Sequence, residues 1–300
     1  MSDGSEVTFP FMVVKGVSEG PVLYLGAGMH GDEISSIRAV GEILSSLDPS
    51  QLHGTVLAVP VENPLGYQVR NRFPPTDPRT DMYDSFPGNK NGGASQIMAY
   101  TLYENLISKS DCVIDLHTAG GSEDTVPNSY FAPERLGHAA EKSKELAKIF
   151  GAEHYNEEYD GHDKYMHVFL ATKGIPAIVV ELPKEPANAT PVATRGVSNI
   201  MASAKMINSS IGSPSRILVK GPPHRPTPRV TVGGFIRYQK KLGEKVSTGE
   251  KIAEVYDTFG RKVEEITSPA EGFLQTIATS PTIEPGQRIG RIAIEETSIS

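Results

Sequence analysis

The segment from Gly28 to Glu33 combines small residues with two metal-ligating side chains. Its sequence is GMHGDE, in which His30 and Glu33 have the spacing H-x-x-E. Imidazole nitrogen and carboxylate oxygen are both good zinc ligands, so two such side chains in a tight turn can bind one ion. Gly28 and Gly31 allow the backbone to turn sharply there. H-x-x-E alone is frequent by chance, so the prediction needs a third ligand.

His117 is the best candidate for that third ligand. It stands in CVIDLHTAGG, after an apolar run and before a glycine-rich turn. A catalytic zinc site has three protein ligands and one open position, and two histidines with one glutamate are the set of the zinc peptidases. The sequence therefore predicts one zinc ion per chain, bound by His30, Glu33 and His117. The alternative for each histidine is a hydrogen-bonded structural residue.

The other histidines lack this context and are interpreted as surface or loop residues. They are His53, His138, His154, His162, His167 and His224, of which His162 and His167 are the reserve ligands. Two aspartates, Asp32 and Asp115, are candidates to orient the ligands by hydrogen bonding. For Asp32, a cap of the following helix is the alternative.

Alternating strand-like and helix-like segments position these residues. The predicted strands are 21–28, 55–63, 112–118 and 177–182, and the predicted helices are 33–47, 93–108, 133–150 and 192–211. This alternation indicates an α/β sheet covered on both faces. Open α/β sheets bind their ligands at the carboxyl ends of strands, where His30 and His117 stand. The polar stretch 64–92 is predicted to be a long functional or mobile loop.

The pattern changes near residue 212. The segment 212–229 is dense in proline and glycine, which marks a linker or boundary. Beyond it, short strand-like runs alternate with turns and predict a small all-β domain. The sequence thus predicts a catalytic domain over residues 1–212 and a C-terminal β-domain with its linker over residues 213–300.

Four segments together resemble the succinylglutamate desuccinylase/aspartoacylase family. They are GMHGDE, DLHTAGG, the FPG at 86–88 and AIVVEL. The resemblance covers roughly residues 20–211, and the β-domain also suits the family. It implies a zinc-carboxypeptidase-like three-layer αβα domain with a mixed sheet. It further implies zinc-dependent hydrolysis of an N-acyl amide bond in a small molecule.

The resemblance also implies roles for two further residues. Glu181, at the end of AIVVEL, matches the catalytic glutamate. Arg72, in QVRNRFPP, is the best match to the arginine that polarises the scissile carbonyl, with Arg70 as the alternative. A nearby carboxylate can accept the proton of activated water, and a cation stabilises a developing oxyanion. The alternative for Glu181 is a glutamate at a strand end that pairs with Lys184. The alternative for Arg72 is a solvated arginine in a loop.

One segment departs from the family pattern. Members carry Asn-Arg in N-R-x-F-P-G, and that arginine holds the carboxylate of the amino-acid substrate. Here Tyr83 and Asp84 stand at those positions. Because an anion replaces a cation, a substrate carboxylate facing Asp84 is repelled. We expect a substrate that lacks the free α-carboxylate at this subsite, or presents an amine or hydroxyl there. There are two alternatives. Arg79, in the same loop, restores the cation at this subsite, or Asp84 points away and caps a turn.

The predicted β-domain resembles biotinyl/lipoyl-like domains. The resemblance rests on VSTGEKIAEVYD, SPAEGFL and EPGQRIGRIAI. Carrier domains of that shape are modified on a lysine at a hairpin tip, where Arg261 stands here with Lys262 next to it. A structural or oligomerising role is therefore favoured. A carrier or binding module remains the alternative from another class, and a metallocarboxypeptidase acting on a short peptide is the alternative among enzymes.

Composition excludes several classes of partner. The 300 residues are 38% hydrophobic and 22% charged, which is a globular composition. A net charge of −7 without a basic block argues against nucleic acid and anionic membranes as partners. No apolar run approaches the ~20 residues of a membrane span, and the N-terminus lacks a secretory signal pattern. The single Cys112 excludes an intrachain disulfide and a thiolate zinc site, so we expect a cytoplasmic protein. The formation of a homo-oligomer is left open by the sequence.

Overall fold

The computed structural model describes residues 6–158, 161–209, 212, 217–219 and 226–296. These residues divide into two compact units. The first is drawn from 1–120 and 127–216, and the second from 121–126 and 217–300. Much of the predicted linker, together with His224, lies outside the described residues.

The elements alternate in the first unit and are all strands in the second. The strands are β1 (Met12–Lys15), β2 (Ser18–Ala27), β3 (His53–Val59), β4 (Cys112–Thr118), β5 (Glu123–Thr125), β6 (Asn128–Phe131), β7 (His154–Glu157), β8 (Ala177–Leu182), β9 (Ile217–Leu218), β10 (Gly234–Tyr238), β11 (Lys245–Val246), β12 (Lys251–Tyr256), β13 (Lys262–Thr267), β14 (Gly272–Ala278), β15 (Thr282–Ile283) and β16 (Gly290–Ala293). The α-helices are α1 (Ile34–Ser46), α2 (Pro64–Val69), α3 (Ala94–Asn105), α4 (His138–Phe150), α5 (Met166–Thr172) and α6 (Pro186–Ser203).

A mixed sheet forms the centre of the first unit. Its strands lie in the order β1-β3-β2-β4-β8-β6-β7. The neighbours β3, β2, β4 and β8 are parallel, whereas β1 and β6 pair antiparallel with β3 and β8. Every residue of β4 is buried, as expected for an apolar strand inside a parallel sheet. The structure confirms the predicted α/β class with a mixed sheet, and it places the ends of β2, β4 and β8 at one edge.

Helix α6 packs against both α1 and α4, and all three helices contact the central strands. Helix α6 differs from the predicted 192–211, because it begins at Pro186 and ends at Ser203. Proline suits the first turn of a helix, where its missing N–H needs no partner. Soon after the helix, Lys205 has a φ of 57° and ends the helical path. None of the helices in the described ranges combines the length and the apolar character of a membrane span.

The predicted loop 64–92 contains helical structure of its own. Helix α2 begins with Pro64, and the side-chain Oδ1 of Asn63 accepts a hydrogen bond from the Gly66 N–H at 2.8 Å. This is an ordinary helix cap, which satisfies one of the free N–H groups of the first turn. A single 3-10 turn at Tyr83–Ser85 follows in the second half of the segment.

The second unit consists of two antiparallel sheets, as the turn-rich sequence predicts. One has the strand order β13-β12-β10-β15, and the other β11-β14-β16 with β5 beside β14. Its core contains Val246, Ile252, Val255, Leu274 and Ile292. The pairing of β5 with β14 brings residues 121–126 into this unit, although they lie between β4 and β6 in the chain.

Candidate active site

Two glycines shape the turn that joins β2 to α1. Gly28 has a φ of 67°, and a Cβ there would lie 2.9 Å from Ile37 Cδ1. At Gly31 a Cβ would lie 2.0 Å from the carbonyl carbon of Gly66. Neither position has room for a side chain, so the tight turn expected from the sequence depends on both. The turn brings His30 to the carboxyl end of β2.

His30, Glu33 and His117 form one buried cluster. A ligand atom of each lies within 4.8 Å of the others. The Glu33 carboxylate lies between the imidazoles, with Oε1 2.6 Å from His30 Nδ1 and Oε2 3.0 Å from His117 Nδ1. The Thr118 N–H donates to Oε2 at 3.1 Å. The structure therefore brings together the three residues that the sequence predicts as metal ligands.

The outer nitrogen of each histidine faces a carboxylate. His30 Nε2 lies 3.1 Å from Asp81 Oδ1, and His117 Nε2 lies 2.8 Å from Asp115 Oδ2. A histidine that donates Nε2–H in this way presents the Nδ1 lone pair on its other side, as metal-binding histidines do. Two imidazole nitrogens and one carboxylate are a donor set that zinc accepts, so these residues fit the ion. Asp115 was predicted from the sequence as an orienting residue, whereas Asp81 was not.

The charges of the cluster favour a cation between the histidines. Burial opposes ionisation of Glu33, but His30 and His117 beside it hold the pKa of that carboxyl well below its usual range. Burial lowers the pKa of His117, and Asp115 and Glu33 more than offset this, so its pKa lies well above the ordinary value. The same carboxylates would stabilise a metal ion in place of a proton.

Arg72 lies beside the cluster. Its Nη1 is 3.7 Å from Glu33 Oε1, and its Nη2 and Nε donate to Asp81 Oδ2 at 2.8 and 3.1 Å. Arg70, the alternative from the sequence, lies instead with its guanidinium 4.3 Å from the centre of the Tyr67 ring. The geometry thus favours Arg72 as the cation at this site. Asp81 is the residue that holds it.

Glu181 lies on β8 directly opposite His117 on β4 in the strand register. Paired positions of neighbouring strands direct their side chains to the same face of a sheet. The residue is half-buried. Burial, together with the Glu33 carboxylate, raises the pKa of the Glu181 carboxyl. A carboxyl with a raised pKa is suited to proton transfer near neutral pH.

Of the two residues that depart from the family pattern, one contacts the cluster and the other does not. The buried Tyr83 ring lies edge-on to both histidines, with centroids 6.3 Å from His30 and 5.4 Å from His117. Its hydroxyl lies 2.6 Å from His167 Nδ1. Asp84 is exposed, and none of the hydrogen bonds and ion pairs found in the described ranges joins it to the cluster.

Two histidines that the sequence assigns to the surface or to loops are fully buried. His154 lies in β7 and His167 in α5, each with 0% exposure. The prediction was wrong here because polar neighbours in the chain do not show which side chains tertiary packing covers. Burial lowers the pKa of His167 to about 3. The ring is therefore neutral, and its Nδ1 shares a hydrogen bond with the Tyr83 hydroxyl.

The fold and this cluster define an α/β protein with a candidate metal centre at the carboxyl ends of its strands. The chain belongs to the succinylglutamate desuccinylase/aspartoacylase family, because residues 19–204 match the model of the Succinylglutamate desuccinylase/Aspartoacylase catalytic domain. This match confirms the resemblance seen in the sequence.

Similarity to known proteins extends over almost the whole chain. The N-alpha-acetyl-L-2,4-diaminobutyric acid deacetylase of Halomonas elongata is 27% identical over 299 residues, which are 96% of this chain and 86% of that protein. The product-bound ectoine utilization protein EutE (DoeB) from Ruegeria pomeroyi has a TM-score of 0.86 at 20% identity, covering 96% of this chain and 89% of that one. A succinylglutamate desuccinylase/aspartoacylase from Rhodobacter sphaeroides has a TM-score of 0.84 at 22% identity, covering 97% and 90%. The two structures show a shared fold.

Proposed function

We propose that this protein is a zinc-dependent hydrolase that cleaves the N-acyl amide bond of a small molecule. The observation that carries the proposal is the convergence of His30, Glu33 and His117 in one buried cluster. Membership of the family and the deacetylase relative support amide-bond deacylation as the reaction.

The metal-binding role falls to the atoms that face into the cluster. These are Nδ1 of His30, Nδ1 of His117 and the carboxylate of Glu33. A zinc ion held there supplies Lewis-acid chemistry, because it lowers the pKa of water and polarises a carbonyl oxygen. Asp81 and Asp115 keep the two imidazoles oriented from outside.

Glu181 and Arg72 supply the remaining chemistry. Glu181 accepts the proton of the attacking water and later returns it to the nitrogen of the departing amine. Its raised pKa makes it a stronger base for the first transfer than an ordinary glutamate is. Arg72 donates hydrogen bonds to the carbonyl oxygen as negative charge develops there. Its two hydrogen bonds to Asp81 Oδ2 fix the guanidinium before substrate arrives.

The substrate we propose lacks a free α-carboxylate at the subsite of Tyr83 and Asp84, or presents an amine or hydroxyl there. Support comes from the exchange of the family's Asn-Arg for Tyr83-Asp84, which replaces a cation by an exposed anion. The substrate named for the Halomonas elongata relative is an N-acetylated diamino acid, which has a free carboxyl group and a free amino group, so it supports only the alternative in which an amine is presented.

We propose the domain roles that the sequence predicts. Residues 1–212 form the catalytic domain, in a three-layer αβα arrangement. Residues 213–300 form a biotinyl/lipoyl-like β-domain. The two antiparallel sheets of the second unit support the latter. Lys262 begins strand β13, and its Nζ lies 3.2 Å from Glu265 Oε2. A lysine ion-paired in a strand supports a structural role over a carrier role.

A substrate screen tests the proposed function. The purified protein with added zinc is incubated with N-acyl amino acids, N-acyl diamino acids, simple N-acyl amines and short peptides, and released amine is measured. We expect amine release from N-acyl small molecules. Cleavage of the peptides alone would support a carboxypeptidase, and release from none of the compounds would contradict the proposal.

A further inference from the structure

Behind His117 lies a pair of buried carboxyl groups, Glu62 and Asp115. Both side chains have 0% exposure, and the charge of Asp115 acts directly on the Glu62 carboxyl. One oxygen of each has another partner. The Tyr24 hydroxyl donates to Glu62 Oε1 at 2.6 Å, and His117 Nε2 lies 2.8 Å from Asp115 Oδ2. The remaining oxygens, Glu62 Oε2 and Asp115 Oδ1, have no N–H or O–H donor within the described ranges, which leaves them to each other.

A hydrogen bond between two carboxyl groups requires one proton. Two ionised carboxylates in contact, both removed from water, would be very costly. Burial raises the pKa of Glu62 well above its usual range, and the charge of Asp115 raises it further. Glu62 is therefore the hydrogen-bond donor of the pair and Asp115 the acceptor. The other oxygen of Asp115, Oδ2, lies 2.8 Å from His117 Nε2.

The backbone of the sheet makes room for this contact. A Cβ at Gly26 would lie 2.3 Å from Glu62 Oε1 and 2.9 Å from Tyr24 Cε1. In the register of β2 and β4, Gly26 is the partner of Asp115. The Glu62 N–H donates to the carbonyl oxygen of Ala27 at 2.9 Å. A glycine in the strand and a fixed backbone beyond β3 thus place the Glu62 carboxyl against Asp115.

We propose that Glu62 is a positioning residue of the metal site. As a neutral hydrogen-bond donor it fixes the Asp115 carboxylate, which in turn holds the imidazole of His117 with Nδ1 toward Glu33. The donors run from Tyr24 to Glu62 and from Glu62 to Asp115, so the second acceptor oxygen of Asp115 stays available to His117 Nε2–H. This arrangement selects the tautomer in which Nδ1 is free to bind a metal ion.

Two substitutions separate the role of the donor from that of the charge. Glu62→Gln replaces the O–H donor by an amide N–H and keeps an oxygen for Tyr24, whereas Glu62→Leu removes both. Zinc affinity is measured by competition with a chromophoric chelator, and thermal unfolding of the zinc-free proteins checks folding. Glu42→Gln, on the exposed face of α1, is the control for substitution of a glutamate as such.

We expect Glu62→Leu to weaken zinc binding by about 10- to 100-fold, which is the usual loss when a partner of a metal-binding histidine is removed. Glu62→Gln is expected to bind zinc like the wild type and to keep the cobalt(II) absorption spectrum of the substituted protein. Wild-type affinity in both variants would overturn the inference. An equal loss in both would overturn it too, because it would mean that a charged Glu62 is needed.

The inference rests on the metal site of the proposed function, and the two can fail separately. If the wild type binds no zinc, the proposed function fails and the inference fails with it. If the wild type binds zinc and the variants show either overturning pattern, only the inference fails. If Glu62→Leu does not fold, Glu62→Gln decides. Wild-type affinity and cobalt spectrum then support a neutral donor, and a loss of affinity contradicts it.

Discussion

His117 and Glu181 occupy paired positions on the neighbouring parallel strands β4 and β8. One is a proposed metal ligand and the other the proposed acid and base, so the sheet itself fixes the separation between them. Both strands belong to the buried centre of the first unit. Sites built on strands are held more accurately than sites on loops. The two residues are therefore expected to keep their geometry when surrounding loops change.

Glu181→Gln is expected to reduce turnover by about 10²–10⁴-fold, because the amide cannot accept or return a proton. Zinc content and substrate binding are expected to be unchanged, since Glu181 is not one of the clustered ligands. Metal analysis and steady-state kinetics check both points. A variant with near wild-type turnover would remove Glu181 from the mechanism.

Arg72→Met is expected to lower kcat by about 10²–10³-fold, the usual loss when an oxyanion donor is removed. Arg70→Met is the matched control, because Arg70 packs on Tyr67 instead of the cluster. We expect that control to retain turnover. The opposite result, a large loss in Arg70→Met and little in Arg72→Met, would transfer the role to Arg70.

The exchange at Asp84 predicts a preference among substrates. A substrate carboxylate 4 Å from this exposed side chain would be repelled by about 1 to 4 kcal/mol, depending on the effective dielectric constant. This corresponds to about 5- to 1000-fold in kcat/KM. We expect N-acyl amines or amides to exceed matched N-acyl amino acids by such a factor, and Asp84→Arg to reduce the difference. The predicted preference would be contradicted if the wild type favoured substrates with a free carboxylate and Asp84→Arg behaved in the same way.

The buried ring of His167 makes the free energy of unfolding depend on pH. Its pKa is about 3 in the fold and near 6.5 in an unfolded chain. As the pH falls below 6.5, the unfolded chain binds a proton that the folded protein does not. The residue therefore costs about 1.4 kcal/mol of unfolding free energy per pH unit down to its folded pKa.

His167→Gln is expected to remove this dependence while keeping a hydrogen-bonding group for the Tyr83 hydroxyl. Between pH 7 and pH 5, urea unfolding is expected to show a loss about 2 kcal/mol smaller in the variant than in the wild type. His138→Gln, at the exposed start of α4, is the control and is expected to follow the wild type. Parallel curves for wild type and His167→Gln would show that the buried ring is already protonated at pH 5.

The clustering of His30, Glu33 and His117 was predictable because the signals of these residues are local. H-x-x-E stands in a glycine turn after a strand, and the strand that carries His117 was predicted with the bounds observed, 112–118. Parallel strands bring their carboxyl ends to one edge, so two strand-end motifs predict one site. Glu181 was identified in the same way, because it stands near the end of the predicted strand 177–182.

Asp115 was predicted as a supporting carboxylate, but Asp81 and Glu62 could not be, because their partners come from other parts of the chain. Asp81 contacts Arg72 and His30 from within a polar loop, where an aspartate ordinarily serves a turn. Glu62 follows a strand and resembles a solvated charge. Its burial depends on the missing side chain of Gly26 in another strand, which no local pattern reveals.

Zinc content and amine release, measured on the same preparations of wild type and His117→Ala, test the central claim most directly. The proposed site predicts about one zinc ion per wild-type chain. Activity is expected to disappear on chelation and to return when zinc is added back. His117→Ala is expected to fold, to bind less zinc and to release no amine. Full zinc occupancy in His117→Ala, or wild-type activity that persists without zinc, would contradict it.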